Sequence, residues 1–517
     1  MNDPDAQVRL AAFAGTTTTA LESATVDVVW QLAFRIVTAS DLHVGADDED
    51  GPAALTLHRN PSTGLVELRG TTIAGLLRHY LDDWLKGYAD HPNRAEDARV
   101  RQLLGGGDDA DTASALITWD APLHGPHTPQ LRSSVSIDPA TAVARPGRLF
   151  ETEVLPKGAC FIISAELRIR HPRAEDGLLR SLVTAAAGLQ RGGIRAGRRT
   201  ASGNGELAAD RWTARRLDVT TGAGWWAWRA RSWPERRAAD RAAVEAGGHD
   251  NLLDALTNGL TAAGLTLAVS PWPDCRRRFV VSATLRPVIP GTIDSPGTLL
   301  IRDNPADPFA ERAPDHAHRF DAVGAVVQGS ALYGAARAGT RRILSALVPD
   351  DAERRRRILV ALWGDEPADS DRSGPARKRT LRPSRVRITE PVLAGAVPVR
   401  VTRNRIDALD GHVVKRHLVT DEVSVGGAGQ VELVVRNPTP ADRALIVFLL
   451  RDLHDGLINV GGASGIGHGQ FHVEDGHASD HPDGERWTLD TLWHCPTSPL
   501  AGWAQELHTA ALEAEAR

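Results

Sequence analysis

The strongest constraint on this chain is that one pattern occurs in it twice. ELRGTTIAGLLRHYL, Glu67 to Leu81, returns in altered form as VVQGSALYGAARAGT, Val326 to Thr340. Gly70, Gly75 and Arg78 then match Gly329, Gly334 and Arg337, all at an offset of 259. SIDPATAVARPGRLFETEV (Ser136 to Val154) pairs with RIDALDGHVVKRHLVTDEV (Arg405 to Val423) at an offset of 269, and Gly192 and Gly461 keep that offset. Three blocks repeated in one order imply tandem copies of one fold, which 517 residues accommodate as separate cores.

Each copy reads as strand, loop, helix, several strands, then helix, glycine-rich loop and strand. VVWQLAFRIVTA and RRFVVSATLRPV are β-branched, alternating runs. TTIAGLLRHYLDDWL puts Ile73, Leu76, Leu77, Tyr80, Leu81 and Trp84 on one helical face. DGLLRSLVTAAAGL and DRALIVFLLRDLHDGL have the same period. The order is β-α-β-β-α-β with an elaborated middle, an α+β, ferredoxin-like plan whose sheet and loops commonly present RNA. The expected divisions are an N-terminal extension at 1–26, a first domain at 27–217, a linker subdomain at 218–275, a second domain at 276–477 and a C-terminal extension at 478–517. The linker contains GAGWWAWRARSWPERR, with Trp225, Trp226, Trp228 and Trp233. Such tryptophans pack as a collar between domains or stand as base-stacking platforms.

Composition excludes several classes. The longest apolar run, Ala444 to Leu450, is too short to cross a membrane, and the N-terminus does not read as a signal peptide. Cys160, Cys275 and Cys495 lie far apart without a CxxC, which fits a reducing cytoplasm and argues against a cysteine-built zinc site. Net charge is −5, yet of 60 basic residues only four are lysine. A GC-rich genome accounts for that bias, although arginine is also the better phosphate fork and base stacker. RSGPARKRTLRPSRVR, Arg372 to Arg387, is either a solvated arginine-rich loop or an arm for an anionic polymer.

The two glycine loops, QRGGIRAGRRTASGNGEL and NVGGASGIGHGQF, fit no nucleotide-binding or hydrolase signature. GxxxxGK[ST], GxSxG and HExxH are absent, and the order helix, loop, strand is the reverse of the Rossmann turn. What remains is a backbone that can approach a polymer closely and aim N–H groups at phosphates. The candidate RNA-binding residues of the first copy are Gly70, Thr71, Arg78, Gly192, Gly193, Arg195, Arg198 and Arg199. Those of the second are Gly329, Ser330, Arg337, Gly461, Gly462, Ser464 and His468. Glycine nests and the helix starts at Gly70 and Gly329 give two anion sites per domain.

DLHVG with an acidic loop, RNPSTGLVELRGTTIAGLLR, SIDPATAVARPGRLFETEVLPKG and GLQRGGIRAGRRTASGNGEL, in that order, resemble the RAMP superfamily of CRISPR systems. The nearest type is the backbone subunit of type III effector complexes. The resemblance implies two modified ferredoxin-like (RRM-like) domains that hold a guide RNA and stack with neighbouring subunits. It also implies a β-hairpin after Ile137-Asp138 and after Ile406-Asp407 that kinks the guide–target duplex. Guide RNA, target RNA and other type III subunits are the implied partners, antiviral defence the role and the cytoplasm the place. Two departures stand out. Ala74 and Tyr333 replace a family lysine, and the second copy reads LRPVIPG (Leu285 to Gly291) where the first has LHVG.

The same resemblance implies cleavage of target RNA by an aspartate in the loop between first strand and first helix, with a divalent metal, Mg2+ or Mn2+. The first copy offers Asp47, Asp48, Glu49 and Asp50; the second offers Asp294. Asp50-Gly51-Pro52 ahead of Arg59-Asn60 parallels Asp294-Ser295-Pro296 ahead of Arg302-Asp303, so Asp294 and Asp50 lead, with Asp48 and Asp47 as substitutes. His43 reads as a packing or capping residue. The rival expectations are a nuclease-inactive scaffold of the same complex and a metal-independent guide-processing endoribonuclease.

Overall fold

The computed structural model describes residues 25–45, 54–89, 94–106, 113–137, 144–190, 192–266, 269–292, 295–303, 313–365, 382–482 and 484–512. In the first half, β1 (Val28–Thr38), β2 (Ala54–Leu55) and β3 (Glu67–Leu68) precede α1 (Gly70–Lys86) and α2 (Ala98–Leu104). Then come β4 (Leu116–Thr118), β5 (Ala121–His124), β6 (Gln130–Ile137), β7 (Ala144–Val154), β8 (Cys160–Ile169), α3 (Glu175–Gln190) and β9 (Leu207–Asp218). Three helices follow: α4 (Gly222–Arg229), α5 (Trp233–Glu245) and α6 (Leu252–Ala262).

The second half begins with β10 (Arg278–Pro287), β11 (Thr298–Leu299), β12 (His316–Ala317), β13 (Gly324–Val326), α7 (Gly329–Leu347) and α8 (Ala352–Trp363). It continues through β14 (Val386–Ile388), β15 (Val392–Ala394), β16 (Val397–Ile406), β17 (Val413–Val425), β18 (Gly429–Arg436) and α9 (Pro440–His454). It ends with β19 (Phe471–His481), β20 (Arg486–Thr488), α10 (Leu489–His494) and α11 (Leu500–Leu512).

Each half is built on an antiparallel sheet, β4-β8-β1-β9 in the first and β14-β18-β10-β19 in the second. Both have the ferredoxin-like strand arrangement that the β-α-β-β-α-β order predicts. The registers correspond as well. β1 breaks register against β9 between Ala33 and Arg35, and β10 against β19 between Ser282 and Thr284. The residue freed by each bulge, Arg211 or Asp475, has positive φ.

Burial differs between the two sheets, and the linker explains why. Along β10, Phe279, Val281, Ala283 and Leu285 are buried while Ser282 is exposed, the alternation of a sheet covered on one face. Along β1, Trp30, Leu32, Phe34 and Ile36 enter the main core, yet Val29 and Ala33 on the opposite face are buried too. That second face is covered by α4, through Ala227 and Trp228, and by α5, through Val244. On the first face, Leu252, Ala255, Leu256 and Leu260 of α6 join the main core. The linker is therefore part of the first domain rather than a collar between domains. Similarly, position 477 falls inside β19, and Leu489, Leu492, Leu500 and Leu507 complete the second core. No helix among the described residues is long and apolar enough to cross a membrane.

Two hairpins, β6–β7 and β16–β17, stand outside the main sheets. They carry exposed apolar side chains: Leu131, Val135 and Ile137 on the first, and Val397, Ile406, Leu409 and Val413 on the second. Their first strands end at Ile137 and Ile406, so the hairpins straddle these positions rather than follow them as expected.

His318, between β12 and β13, is 3% exposed. Burial, only partly offset by its contact with the Val326 carbonyl, pulls its pKa down from 6.5 to about 4. The unfolded chain therefore binds the proton more readily, so stability is complete above pH 6.5 and falls as the pH drops toward 4. The loss should reach about 3 kcal/mol. Denaturant titrations at pH 7.5 and pH 4.5 should show this drop in the wild type and a smaller one in His318→Gln.

Candidate nucleic-acid interface

The two glycine loops share one backbone conformation. In the first, Ala196 N–H donates to Gly205 O (2.7 Å), Arg198 N–H to His43 O (3.1 Å) and Gly205 N–H to Asp41 O (2.8 Å). In the second, Val460 N–H donates to Gly469 O (2.9 Å), Gly462 N–H to Leu300 O (2.7 Å) and Gly469 N–H to Thr298 O (2.8 Å). Each then turns through a short 3-10 segment, Thr200–Ser202 or Ser464–Ile466. Left-handed residues flank it, Arg199 and Gly203 in one copy, Ala463 and Gly467 in the other.

These contacts pair Gly197 with Gly461 and Gly192 with Gly456, an offset of 264 rather than the 269 that joined Gly192 to Gly461 in the sequence. The link from β18 to α9 is shorter than its counterpart from β8 to α3, which shifts everything downstream. Thr298 to Ile301 likewise takes the place of Asp41 to Val44, so LRPVIPG is not the counterpart of LHVG. The turn after it fits the same correction. Asn60 Oδ1 accepts from Ser62 and Thr63 N–H, as Asp321 Oδ1 does from Val323 and Gly324 N–H. Arg59-Asn60 thus matches Phe320-Asp321, not Arg302-Asp303.

The acidic loop of the first copy, 46–53, therefore corresponds in chain position to 304–312, which contains Asp307 and Glu311. Asp294 comes earlier, ahead of β11. Asp47, Asp48, Asp50 and Asp294 themselves lie outside the described residues. Among the described residues no group of three or more His, Cys, Asp or Glu side chains could hold a metal ion.

Several candidate RNA contacts are engaged within the protein. Arg78 forks onto Glu96, with Nη1 2.8 Å from both carboxylate oxygens. Arg337 Nη1 donates to Trp363 O at 3.3 Å. The first helix N–H groups already meet carboxylates: Gly70 N–H donates to Asp120 (2.8 Å) and Gly329 N–H to Glu390 (3.1 Å). Gly193 N–H donates to Gly188 O, and His468, buried and with its pKa lowered by burial, bonds Thr298 Oγ1. Arg199 Nη1 donates to Ser134 Oγ on the first hairpin at 2.9 Å. His43 is 1% exposed with Nδ1 2.7 Å from Glu153 O, a packing role as its sequence context suggests. Thr71, Arg198, Ser330, Gly461 and Ser464 remain exposed.

Arg195 serves the joint between the halves. Its side chain is 6% exposed, pairs with Glu206 at 3.3 Å, and donates to Thr200 O (2.8 Å) and across to Ile388 O (3.4 Å). In return, Arg387 Nη1 reaches Gly193 O at 3.4 Å. Burial, reinforced by Arg436, pulls the Arg387 pKa down to about 10. Nearby, Asp41 accepts from Arg132 (2.9 Å) and from Arg319 of the other half (2.5 Å), and Arg319 also holds Glu390. Sequence reading passed over Asp41 because nothing in one strand end shows that its partner lies 278 residues away. The arginine-rich segment divides similarly. Arg385 forks onto Asp442 at 2.9 and 3.0 Å, whereas 366–381 lies outside the described residues.

Arg198→Ala should therefore reduce the log–log salt slope of RNA binding by about 0.7, the value of one phosphate contact on a single strand. Arg195→Ala should leave that slope unchanged while lowering the melting temperature. Filter binding across a salt series, paired with thermal melts, separates the two effects.

No curated protein matches the chain. The RAMP superfamily matches it over residues 35–208 and 322–472, the second match starting beyond the stretch where the two copies diverge. With these two matches, and the same strand order and loop backbone in each half, the chain belongs to the RAMP superfamily of CRISPR-associated RNA-binding proteins.

Proposed function

We propose that this chain is a guide-RNA-binding backbone subunit of a type III CRISPR antiviral ribonucleoprotein, two domains in one polypeptide, and that it cuts complementary target RNA. The observation that supports this most is the paired recurrence of three features in each half. These are a glycine loop beside a first-strand extension, a glycine-started helix, and a projecting hairpin with exposed apolar residues. A repeated device suits a polymer with a repeating backbone. Thr71, Arg198, Ser330 and Ser464 are the groups available to phosphates and riboses. Leu409, 96% exposed at the end of its hairpin, is suited to wedge against unstacked bases.

A divalent cation, Mg2+ or Mn2+, would stabilise charge at the scissile phosphate, and Asp50, with Asp48 beside it, and Asp294 are the carboxylates proposed to hold it. The rival reading is a scaffold with one or both acidic loops inert; Asp294 does not occupy the chain position that matches Asp50, where Asp307 and Glu311 are the carboxylates instead. Reconstitution with a defined guide and labelled complementary or scrambled target tests the main reading. Retention and cutting should require complementarity and be blocked by EDTA. Equal retention of scrambled RNA would reject guided binding, and EDTA-resistant cutting would reject the metal.

A further inference from the structure

The joint between the two halves is a plug in a socket. Ser202 O lies 1.9 Å from where a Cβ on Gly329 would stand, so the Thr200–Gly203 turn of the first domain fills the space beside the start of α7. Gly203 abuts Glu390 N and Ile388 O. Arg195, near Glu432, anchors the turn, and Asp41–Arg319 locks its flank.

Because the halves repeat, the chain also has a second plug, Ser464–Gly467, and a second socket, beside Gly70. Neither matches the joint. At the socket, the space beside Gly70 is filled by the first domain's own Thr118 O, 2.3 Å from the glycine's Cβ position, and Thr118 Oγ1 donates to Gly70 O at 2.7 Å. Trp119 is held beneath Trp233 of α5, rings 4.3 Å apart, with Arg236 over both.

The joint's charged pairs are missing too. Asn459 stands where the first plug has Arg195, and Ser164 where the socket has Glu432. Thr298 replaces Asp41, and His58, paired with Glu67 at 3.2 Å, replaces Arg319. The plug tip changes from Ser202 to Ile466, 61% exposed.

We infer that the chain does not stack on itself: its first domain closes one end of any assembly, and whatever meets the Ser464–Gly467 turn is a domain of a different polypeptide. The inference rests on the repeat and its joint, not on RNA binding. A joint used head to tail without closing would generate open polymers, and repeat arrays avoid this with atypical terminal units. Here the atypical unit is the first domain.

Sedimentation velocity from low to high micromolar concentration should show one species at the mass of a single chain, 55.5 kDa. Self-association that Ile466→Asp abolishes would overturn the inference. Two grafted chains test which residues set the end. One carries Asn459→Arg, Thr298→Asp and Ile466→Ser. The other carries His58→Arg, Thr118→Ile, Trp119→Thr and Ser164→Glu. Each alone should remain a monomer, and their mixture should form a 1:1 dimer of doubled mass. A mixture that stays monomeric, with both chains melting as the wild type does, would refute the residue assignment. The wild-type measurement decides the inference even if a graft fails to fold.

Discussion

Gly205→Ala should destabilise the first domain by about 3 kcal/mol or more, as a left-handed alanine forced against backbone combines strain with a clash. Gly205 has φ +77°, and its Cβ would stand 1.9 Å from Ala196 O, the residue whose N–H it accepts. The clash cannot be relieved by a rotamer change, so the loop must open. Opening it also releases the Gly205 N–H bond to Asp41 O, at the residue that binds Arg319 across the joint.

Gly469→Ala, with φ +81° and a Cβ 2.0 Å from Val460 O, should cost as much locally but leave the joint closed. Gly64→Ala supplies the reference. Its φ is +69° with nothing within 4 Å of the Cβ, so conformational strain acts alone, about 1 kcal/mol. Chemical denaturation gives the three costs, and proteolysis of the joint should accelerate only for Gly205→Ala. If Gly205→Ala costs no more than Gly64→Ala, the loop is not packed as described.

What the sequence revealed, and what it concealed, follows from the range of the interactions. The strand arrangement was legible because it depends on local periodicity, repeated twice. Of the six residues placed on one helical face by spacing, Ile73, Leu77, Tyr80, Leu81 and Trp84 are buried, and Leu76 is half-buried against the same core. β1 reads in sequence as an alternating run like β10, yet its burial is near-continuous because both faces of its sheet are covered. The coverer, α4 and α5, could not be read from β1 itself.

The site was less legible. An arginine beside glycines looks the same in sequence whether it faces solvent, as Arg198 does, or a carbonyl of the other half, as Arg195 does. The helix starts at Gly70 and Gly329 do act as anion sites, but the anions are Asp120 and Glu390 of the chain itself, 50 and 61 residues away. Register errors had a similar origin. Matching glycine to glycine is ambiguous where glycines are dense, and only the hydrogen bonds to Asp41, His43, Thr298 and Leu300 fix the offset.

Target cleavage should respond to single carboxylate changes in an all-or-none way on a gel, because removing a held cation and its charge stabilisation raises the barrier by several kcal/mol. Asp50→Asn should abolish one product band and Asp294→Asn a different one. The double variant should leave the target whole, with guide and target retained, since the amide keeps the shape and loses only the charge. The structure adds a discriminating control. The chain position matching 46–53 is 304–312, so Asp307→Asn competes directly with Asp294→Asn for the second band. Loss of that band in Asp294→Asn alone would mean that the shared Asp-x-Pro marks the site despite its shifted place in the fold. If it is lost in Asp307→Asn alone, chain position governs and the Asp294 assignment fails. A double Asp50, Asp294 variant that cuts with the wild-type pattern would remove both loops from the reaction and leave the chain as a scaffold whose neighbours cut.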